Sequence, residues 1–192
     1  MQILITVKET ITQYITRFQA LEIVRPEKCP VCGAVHSIHR HGSYWRNILN
    51  EQWEKRIPVA RFYCKTCKLT ISMLPSFALP YFQYSLEFIV TALQQIFLAK
   101  ATTSRICSAL LRFYRRRFHG NLLFLEMFFR DQGWPEVTPQ DVKEKATKMV
   151  CMLTVPTAET LSQRFHQHYK HTFMAHSLYH RFYLSVNQCV PT

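Results

Sequence analysis

The chain has 192 residues, 48% of them hydrophobic, and a formal net charge of +12. This composition excludes a disordered tail, and the length allows either one substantial core or a small metal module followed by a helical domain. The charge is uneven, with +6 in residues 1–80, +5 in residues 81–130 and +1 in residues 131–192, which favours nucleic acid over an anionic membrane surface as a partner.

The first segment, residues 1–24, is a lead-in. Weak alternation predicts an edge strand over residues 2–7, and apolar spacing predicts a short helix from Thr10 to Ala20. The start of the chain lacks the basic and long apolar regions of a signal peptide. The most apolar later stretch, Phe88 to Ala99, is too short to cross a bilayer. We therefore expect a cytoplasmic protein with no membrane partner.

Two Cys-x-x-Cys turns dominate the next segment, residues 25–73. Each turn can direct two thiolates to the same point, so two facing turns supply four ligands for a tetrahedral Zn²⁺. The predicted ligands are Cys29, Cys32, Cys64 and Cys67. Four thiolates leave no open position on the metal, so we expect a structural zinc site.

The cysteine pairs also allow alternatives to zinc. Seven cysteines without a secretory signal favour metal over two disulfides or buried thiols. Iron in a four-thiolate site is the remaining metal option. The second turn continues with Lys68 and Leu69, without the proline and glycine that frame the first, which argues against iron. In a further alternative, one of the nearby histidines His36, His39 and His41 replaces a cysteine as a ligand.

The residues between the two turns have the alternation of a β-hairpin. Its predicted strands cover residues 37–46 and 56–63, and Pro58 favours an edge position. Strict alternation would put Arg40, Tyr44 and Arg46 on one face and His39, His41 and Trp45 on the other. A hairpin clamped by two cysteine turns is the plan of a zinc ribbon.

The hairpin also carries candidates for contact with DNA. Its arginines, which could bind phosphates, are Arg40, Arg46 and Arg61. For its aromatic residues Trp45, Phe62 and Tyr63 we expect burial in a miniature core rather than contact with bases, because so small a module has few other apolar groups.

Residues 74–133 have a helical pattern. Ser85 can cap a first helix, and a second is predicted from about Ser104 to Phe118. The second helix is expected to bury Ile106, Ala109, Leu110 and Phe113. Its basic residues form a narrow arc of Arg105, Arg112 and Arg116, with Arg115 beside them. Two helices joined by a short turn, the second basic, match the outline of a helix-turn-helix, although the arc is equally compatible with a solvated helix face.

Three more helices are predicted around and within the last segment, residues 134–192. Asn121 can cap one with Leu122, Leu125, Phe128 and Phe129 on its apolar side. Thr138-Pro139 can open another, with Val142, Ala146, Met149, Val150 and Leu153 buried. Pro156-Thr157 can open the last, through Leu161, Phe165, Tyr169 and Phe173. For the histidines of this segment, at positions 166, 168, 171, 176 and 180, we expect a solvated helix rather than a metal site.

Several motifs together carry a family resemblance. They are Cys29-Pro-Val-Cys32, Arg40-His-Gly-Ser-Tyr-Trp-Arg46, Ile57-Pro-Val-Ala-Arg61, Cys64-x-x-Cys67 and Leu74-Pro-Ser-Phe77. Over residues 20–100 the chain resembles short bacterial zinc-ribbon proteins of unknown function, which are similar to the N-terminal zinc ribbons of insertion-sequence transposases. The resemblance implies a DNA-binding role associated with a mobile element.

The residues themselves argue against catalysis. A transposase of the RNase H-like type needs three carboxylates that hold two metal ions, whereas this chain has only two aspartates, Asp131 and Asp141. Its four glycines are not clustered, so no phosphate-binding glycine loop is present. We expect an α+β protein, a zinc ribbon followed by an all-helical domain, that binds DNA without acting on it and has no small-molecule substrate. The alternatives are a protein-interaction adaptor for a transposase or another partner, and an iron-containing electron carrier.

Overall fold

The structure is a computed structural model that describes residues 1–99, 106–134, 139–154 and 158–176. It has two compact units, Met1–Leu86 and Glu87–Thr192. Together they contain four strands and six helices in the described residues, which confirms the mixed α+β class. Among the described helices, none combines the length and apolar character needed to cross a bilayer.

A four-stranded sheet forms the first unit. The strands are β1 (Gln2–Ile5), β2 (Ile38–Leu49), β3 (Glu54–Cys64) and β4 (Thr70–Pro75), in the order β1-β4-β3-β2. β1 is an edge strand parallel to β4, and the other pairings are antiparallel. The lead-in therefore supplies both a strand and the helix α1 (Ile11–Arg17) to the same unit as the cysteine turns.

Pro58 lies in an inner strand, so the expected edge position is wrong. β3 pairs with β2 on one side and with β4 on the other. The β4 ladder covers only Ala60 to Tyr63, however, so Pro58 lies outside it and its missing N–H breaks no bond of that ladder. Instead, the buried Tyr14 hydroxyl donates to the Pro58 carbonyl at 2.9 Å and ties α1 to β3.

A β-bulge in β2 changes the faces that strict alternation predicts. The register shifts between Arg40 and Ser43, and Gly42 in this interval has φ +74°, a backbone conformation that glycine adopts without strain. One extra residue on β2 puts Arg40 on the same face as Trp45. The expectation that Arg40 lies with Tyr44 and Arg46 is therefore wrong.

The first unit buries a core that is larger than that of an isolated hairpin. Tyr14 is fully buried and makes edge contacts with the rings of Phe18 and Phe77. Of the hairpin aromatics, Phe62 is 2% exposed, as expected, but Trp45 is 55% exposed. Because α1 and β1 supply apolar side chains, the core forms without Trp45.

The second unit is helical. Its helices are α2 (Leu86–Leu98), α3 (Ser108–His119), α4 (Leu122–Asp131), α5 (Val142–Thr154) and α6 (Ala158–Tyr169). α2 begins directly after Ser85, but α3 begins four residues later than the sequence predicts. α2 ends at Leu98, and positions 100–105 of the segment before α3 lie outside the described residues, so the helix-turn-helix remains a prediction.

The buried side of α3 differs from the prediction. Tyr114 and Phe118 are buried, whereas Ala109 is exposed and Leu110 and Phe113 are only half-buried. The apolar positions of this helix form two overlapping rows, and the row that contains the large aromatic rings at positions 114 and 118 packs inward. Ile106, which precedes the helix, is also only half-buried.

α4 and α5 follow their predicted apolar patterns more closely. Leu122, Leu125, Phe128 and Phe129 are all buried in α4. In α5 the predicted positions from 146 onward are buried, but Val142 is 56% exposed. Val142 is exposed because it is the first residue of α5. Asp141 caps the helix at this point by accepting from the backbone N–H groups of residues 143 and 144 at 2.9 Å.

The histidines of α6 and its C-terminal end are not uniformly solvated. His166 and His171 are 4% and 8% exposed, and the ring of His171 contacts those of Phe165 and Tyr169. His168 is exposed and lies 3.9 Å from Asp131. The expectation of a solvated helix is therefore wrong for His166 and His171, which are both buried, and position 180 lies outside the described residues.

Candidate metal centre and basic surfaces

The two cysteine turns have the same backbone conformation. In each, the N–H of the residue four positions after the first cysteine donates to that cysteine's carbonyl, from Gly33 to Cys29 and from Lys68 to Cys64, both at 2.9 Å. Gly33 and Lys68 both have positive φ, +72° and +60°. The turns are thus equivalent although only the first contains glycine, so the sequence difference gives no reason to exclude iron.

The turns bring four sulfur atoms together. The ligand atoms of Cys29, Cys32, Cys64 and Cys67 all lie within 4.8 Å of one another. Two separations are 3.6 Å (Cys29 Sγ to Cys67 Sγ) and 3.7 Å (Cys32 Sγ to Cys64 Sγ). Tetrahedral ligands at about 2.3 Å from a metal are about 3.8 Å apart, whereas a disulfide needs about 2.05 Å. The spacing fits a four-thiolate metal site and not a pair of disulfides.

Backbone N–H groups favour the thiolate form of one cysteine of the cluster. The N–H of Cys67, and then that of Thr66, hydrogen-bond to the Cys64 sulfur and lower the pKa of its thiol to about 6. Burial instead raises the pKa of Cys67 to about 12. Several thiolates this close together repel one another, so a divalent cation is what would allow all four to ionise.

The donor set limits what the centre can do. Four thiolates suit Zn²⁺ and also iron, and they fill a tetrahedral shell. In the described part of the chain, no histidine or carboxylate belongs to this group. With a metal bound, such a centre would stabilise the fold by joining the loop before β2 to the end of β3. The two strands also pair directly, through Ile38 and Cys64.

The three arginines of the hairpin occupy different surroundings. Arg46 donates to the backbone carbonyls of Leu79, at 3.0 Å, and Phe82, and burial lowers the pKa of its guanidinium. Arg61 is half-buried, 5.7 Å from the centroid of the Tyr44 ring. Arg40 is exposed. Arg46 thus holds the loop after β4, and Arg40 is the most accessible of the three to a phosphate.

Three of the four arginines of α3 are exposed, whereas Arg117 is half-buried. Arg112, Arg115 and Arg116 are all exposed, and α3 contains no acidic residue. We call these three residues the α3 arginine face. Arg105, the fourth member predicted from the sequence, lies outside the described residues.

The sequence interpretation did not select one aromatic and basic pair in the first unit. Trp45 is exposed, and the Arg56 guanidinium lies 5.9 Å from the centroid of its ring. Both residues lie on the face that Arg40 shares. The signal available in the sequence was Gly42, because an isolated glycine within a strand often marks a bulge.

Comparison with protein families gives a match, whereas comparison with individual proteins does not. No curated protein and no solved structure matches the chain. These comparisons say nothing about transposases, so that resemblance remains a prediction. Residues 29–113, which begin at the first cysteine of the cluster and end within α3, match the model of a family described as a domain of unknown function, DUF6431.

Proposed function

We propose that the protein binds DNA through basic surfaces on a zinc-stabilised scaffold and makes no chemical change in it. The observation that carries this proposal is the α3 arginine face, three exposed cations on a helix without a carboxylate. In keeping with the family resemblance, the proposed setting is a mobile element, and the proposed protein partner is a separate transposase.

Helix geometry supports an intermolecular role for these arginines. At about 100° per residue, Arg112 and Arg116 lie about 40° apart and point away from the buried Tyr114. Because no acidic residue on α3 can pair with them, their charges remain available to a polyanion. A merely solvated helix face usually mixes both signs of charge.

Two features support the proposal that the protein is not catalytic, namely the donor set of the metal centre and the positions of the aspartates. A four-thiolate centre offers no position for water or substrate. Asp141 caps α5, and Asp131 lies beside His168. In the described residues the four cysteines are the group with metal-ligating geometry, so two-metal catalysis has no candidate carboxylate cluster there.

A protein-interaction adaptor is the second candidate. The observation in its favour is three exposed apolar side chains at and beside the cysteine turns, Val31, Val35 and Leu69, which are 50%, 48% and 44% exposed. Exposed apolar residues at one site are typical of protein-binding surfaces. An adaptor of this kind would bind its partner without the strong salt dependence of DNA binding.

The test measures duplex DNA affinity at several salt concentrations. Replacing Arg112, Arg115 and Arg116 with alanine should reduce the slope of log affinity against log salt by about 2.7, since each phosphate contact contributes about 0.9. The matched control removes three exposed cations elsewhere on the second unit, with Arg130→Ala, Lys143→Ala and Arg164→Ala. It should keep nearly the wild-type slope.

Three results would contradict the proposal. A folded arginine variant with the wild-type slope would mean that the α3 arginine face is only solvated. Salt-independent binding, or none, would favour the adaptor. Supercoiled plasmid incubated with the protein and Mg²⁺ should be recovered intact, and nicking that is lost on replacing Asp131 or Asp141 would contradict the non-catalytic part.

A further inference from the structure

A groove in the first unit lies between α1 and the hairpin. It encloses about 560 Å³, within the range of ligand sites. Side chains from α1 and the residues after it line one side, and side chains of β2 and β3 line the other. The residues that matter most are Ile15, Phe18, Arg40, Ser43, Trp45 and Pro58.

Trp45 gives this groove an aromatic surface. The indole is 55% exposed although it lies in a strand opposite Pro58. A large aromatic ring left in water at the wall of a groove is typical of a surface that stacks against a ligand. Arg56 lies beside the ring, 5.9 Å from its centroid, and so can orient it while keeping its own charge near the groove.

The charge of the groove has one sign. Arg40 lines it and no carboxylate does. α1 has no acidic residue and carries the exposed Arg17 in its last turn. An anionic ligand would therefore meet the Arg40 guanidinium at the groove wall and that of Arg56 beside Trp45, without repulsion from acidic side chains of the lining.

An aromatic surface with cations beside it is the combination that binds single-stranded nucleic acid. Every base offers a flat π-face that can stack on an indole, while arginines track the phosphates on either side. In a duplex the bases are already stacked on one another and present only their edges. An acidic peptide would use the arginines but has no group that requires the exposed indole.

We propose that the groove between α1 and the β2–β3 hairpin binds single-stranded DNA, with one unstacked base against Trp45 and the adjoining phosphates at Arg40 and Arg56. The inference rests on the proposed DNA-binding function and adds a site and a strand preference to it. It concerns residues of the first unit, so variants of these residues and of the α3 arginine face can be tested separately.

The first experiment titrates the full chain with short oligo(dT). Trp45, Trp53 and Trp134 are the three fluorophores, and stacking should quench only the first. The quenching should disappear in Trp45→Phe and persist in Trp53→Phe. By anisotropy of a labelled strand, Trp45→Ala should weaken binding about 5- to 150-fold, the range for losing one stacked base, and Trp45→Phe should restore most of it.

The second experiment tests the phosphate contacts. For a single strand, Arg40→Ala should lower the salt slope by about 0.7. Arg130→Ala removes the same charge from an exposed position on α4 and should leave the slope unchanged. Zinc content and circular dichroism establish that the variants are folded, which is expected because Trp45 and Arg40 are exposed.

The outcomes separate this inference from the broader proposal. If duplex binding is normal but oligo(dT) binding is independent of Trp45, the groove proposal is wrong and the proposed function stands. If neither form of DNA binds, both are wrong. Competition by polyglutamate as strong as that by oligo(dT) would mean that the groove recognises charge alone, which would also overturn the inference.

Discussion

Replacing Cys64 with serine is the most direct perturbation of the metal centre. Cys64 is fully buried and its sulfur lies 3.7 Å from that of Cys32. We expect one zinc ion per wild-type chain and little or none in Cys64→Ser. The matched control is Cys107→Ser, because Cys107 is exposed and outside the cluster. It should keep the wild-type metal content.

The expected loss of stability follows from the free energy of zinc binding and from the length of the first unit. Structural zinc sites contribute apparent binding free energies of about 10–16 kcal/mol. The first unit spans Met1–Leu86, and a folded unit of that length has a free energy of unfolding of about 4–13 kcal/mol. Losing even about 5 kcal/mol would lower the midpoint of thermal unfolding by about 20–40 °C, at about 4–8 °C per kcal/mol.

The loss of structure on removal of the metal should begin at the two Cys-x-x-Cys turns. α1 and the sheet bury Tyr14, Ile57 and Leu74 away from the cluster, each fully inaccessible to solvent, so this part of the core does not depend directly on the metal. The amides of Gly33 and Lys68 close the two turns. In hydrogen exchange they should therefore lose protection on chelation before the amides of β3 do.

Elemental analysis and thermal unfolding, measured on the same reduced preparations, test whether the four cysteines bind a metal that stabilises the first unit. Wild-type protein without zinc or iron would refute the metal centre, and so would equal metal content and equal midpoints in Cys64→Ser and Cys107→Ser. Bound iron, visible from its colour because Zn²⁺ has no visible absorption, would keep the centre but replace zinc and favour the electron carrier.

Two further predictions concern buried groups. Tyr14→Phe removes the hydrogen bond to the Pro58 carbonyl, so the free energy of unfolding in urea should fall by about 1 kcal/mol; no change would mean that this bond does not stabilise the packing of α1. Burial lowers the pKa of His166 to about 4, below its usual 6.5, so the unfolded chain binds the proton more readily. Its contribution of about 3 kcal/mol is present above pH 6.5 and lost as the pH falls towards 4. His166→Gln should remove this part of the pH dependence and the exposed His168→Gln should not, and identical pH profiles for the two variants would refute the assignment.

The sequence by itself determined the features that depend on short spacing. A Cys-x-x-Cys pair places two sulfurs through a single turn, so the two pairs identify the cysteine cluster without knowledge of the rest of the fold. Apolar spacing of three and four residues likewise determined the buried side of α4, including Leu125 and Phe128, because one face of a helix repeats every 3.6 residues.

Where the local sequence allows more than one backbone conformation or more than one buried side, only the tertiary structure decides which is adopted. Lys68 takes the conformation of Gly33 because the turn that it closes is held by the fold, not because its side chain prefers positive φ. α3 presents two overlapping apolar rows, and packing decides that Tyr114 faces inward.

The sheet also combines features that the local sequence determines with features that only the tertiary structure decides. The alternation of β2 is local, but the bulge at Gly42 shifts the pairing of the whole strand and moves Arg40 to the face of Trp45. Trp45 can remain exposed because α1 and β1, distant in sequence, supply apolar side chains to the core. Burial depends on which segments meet in space, and spacing along one segment does not contain that information.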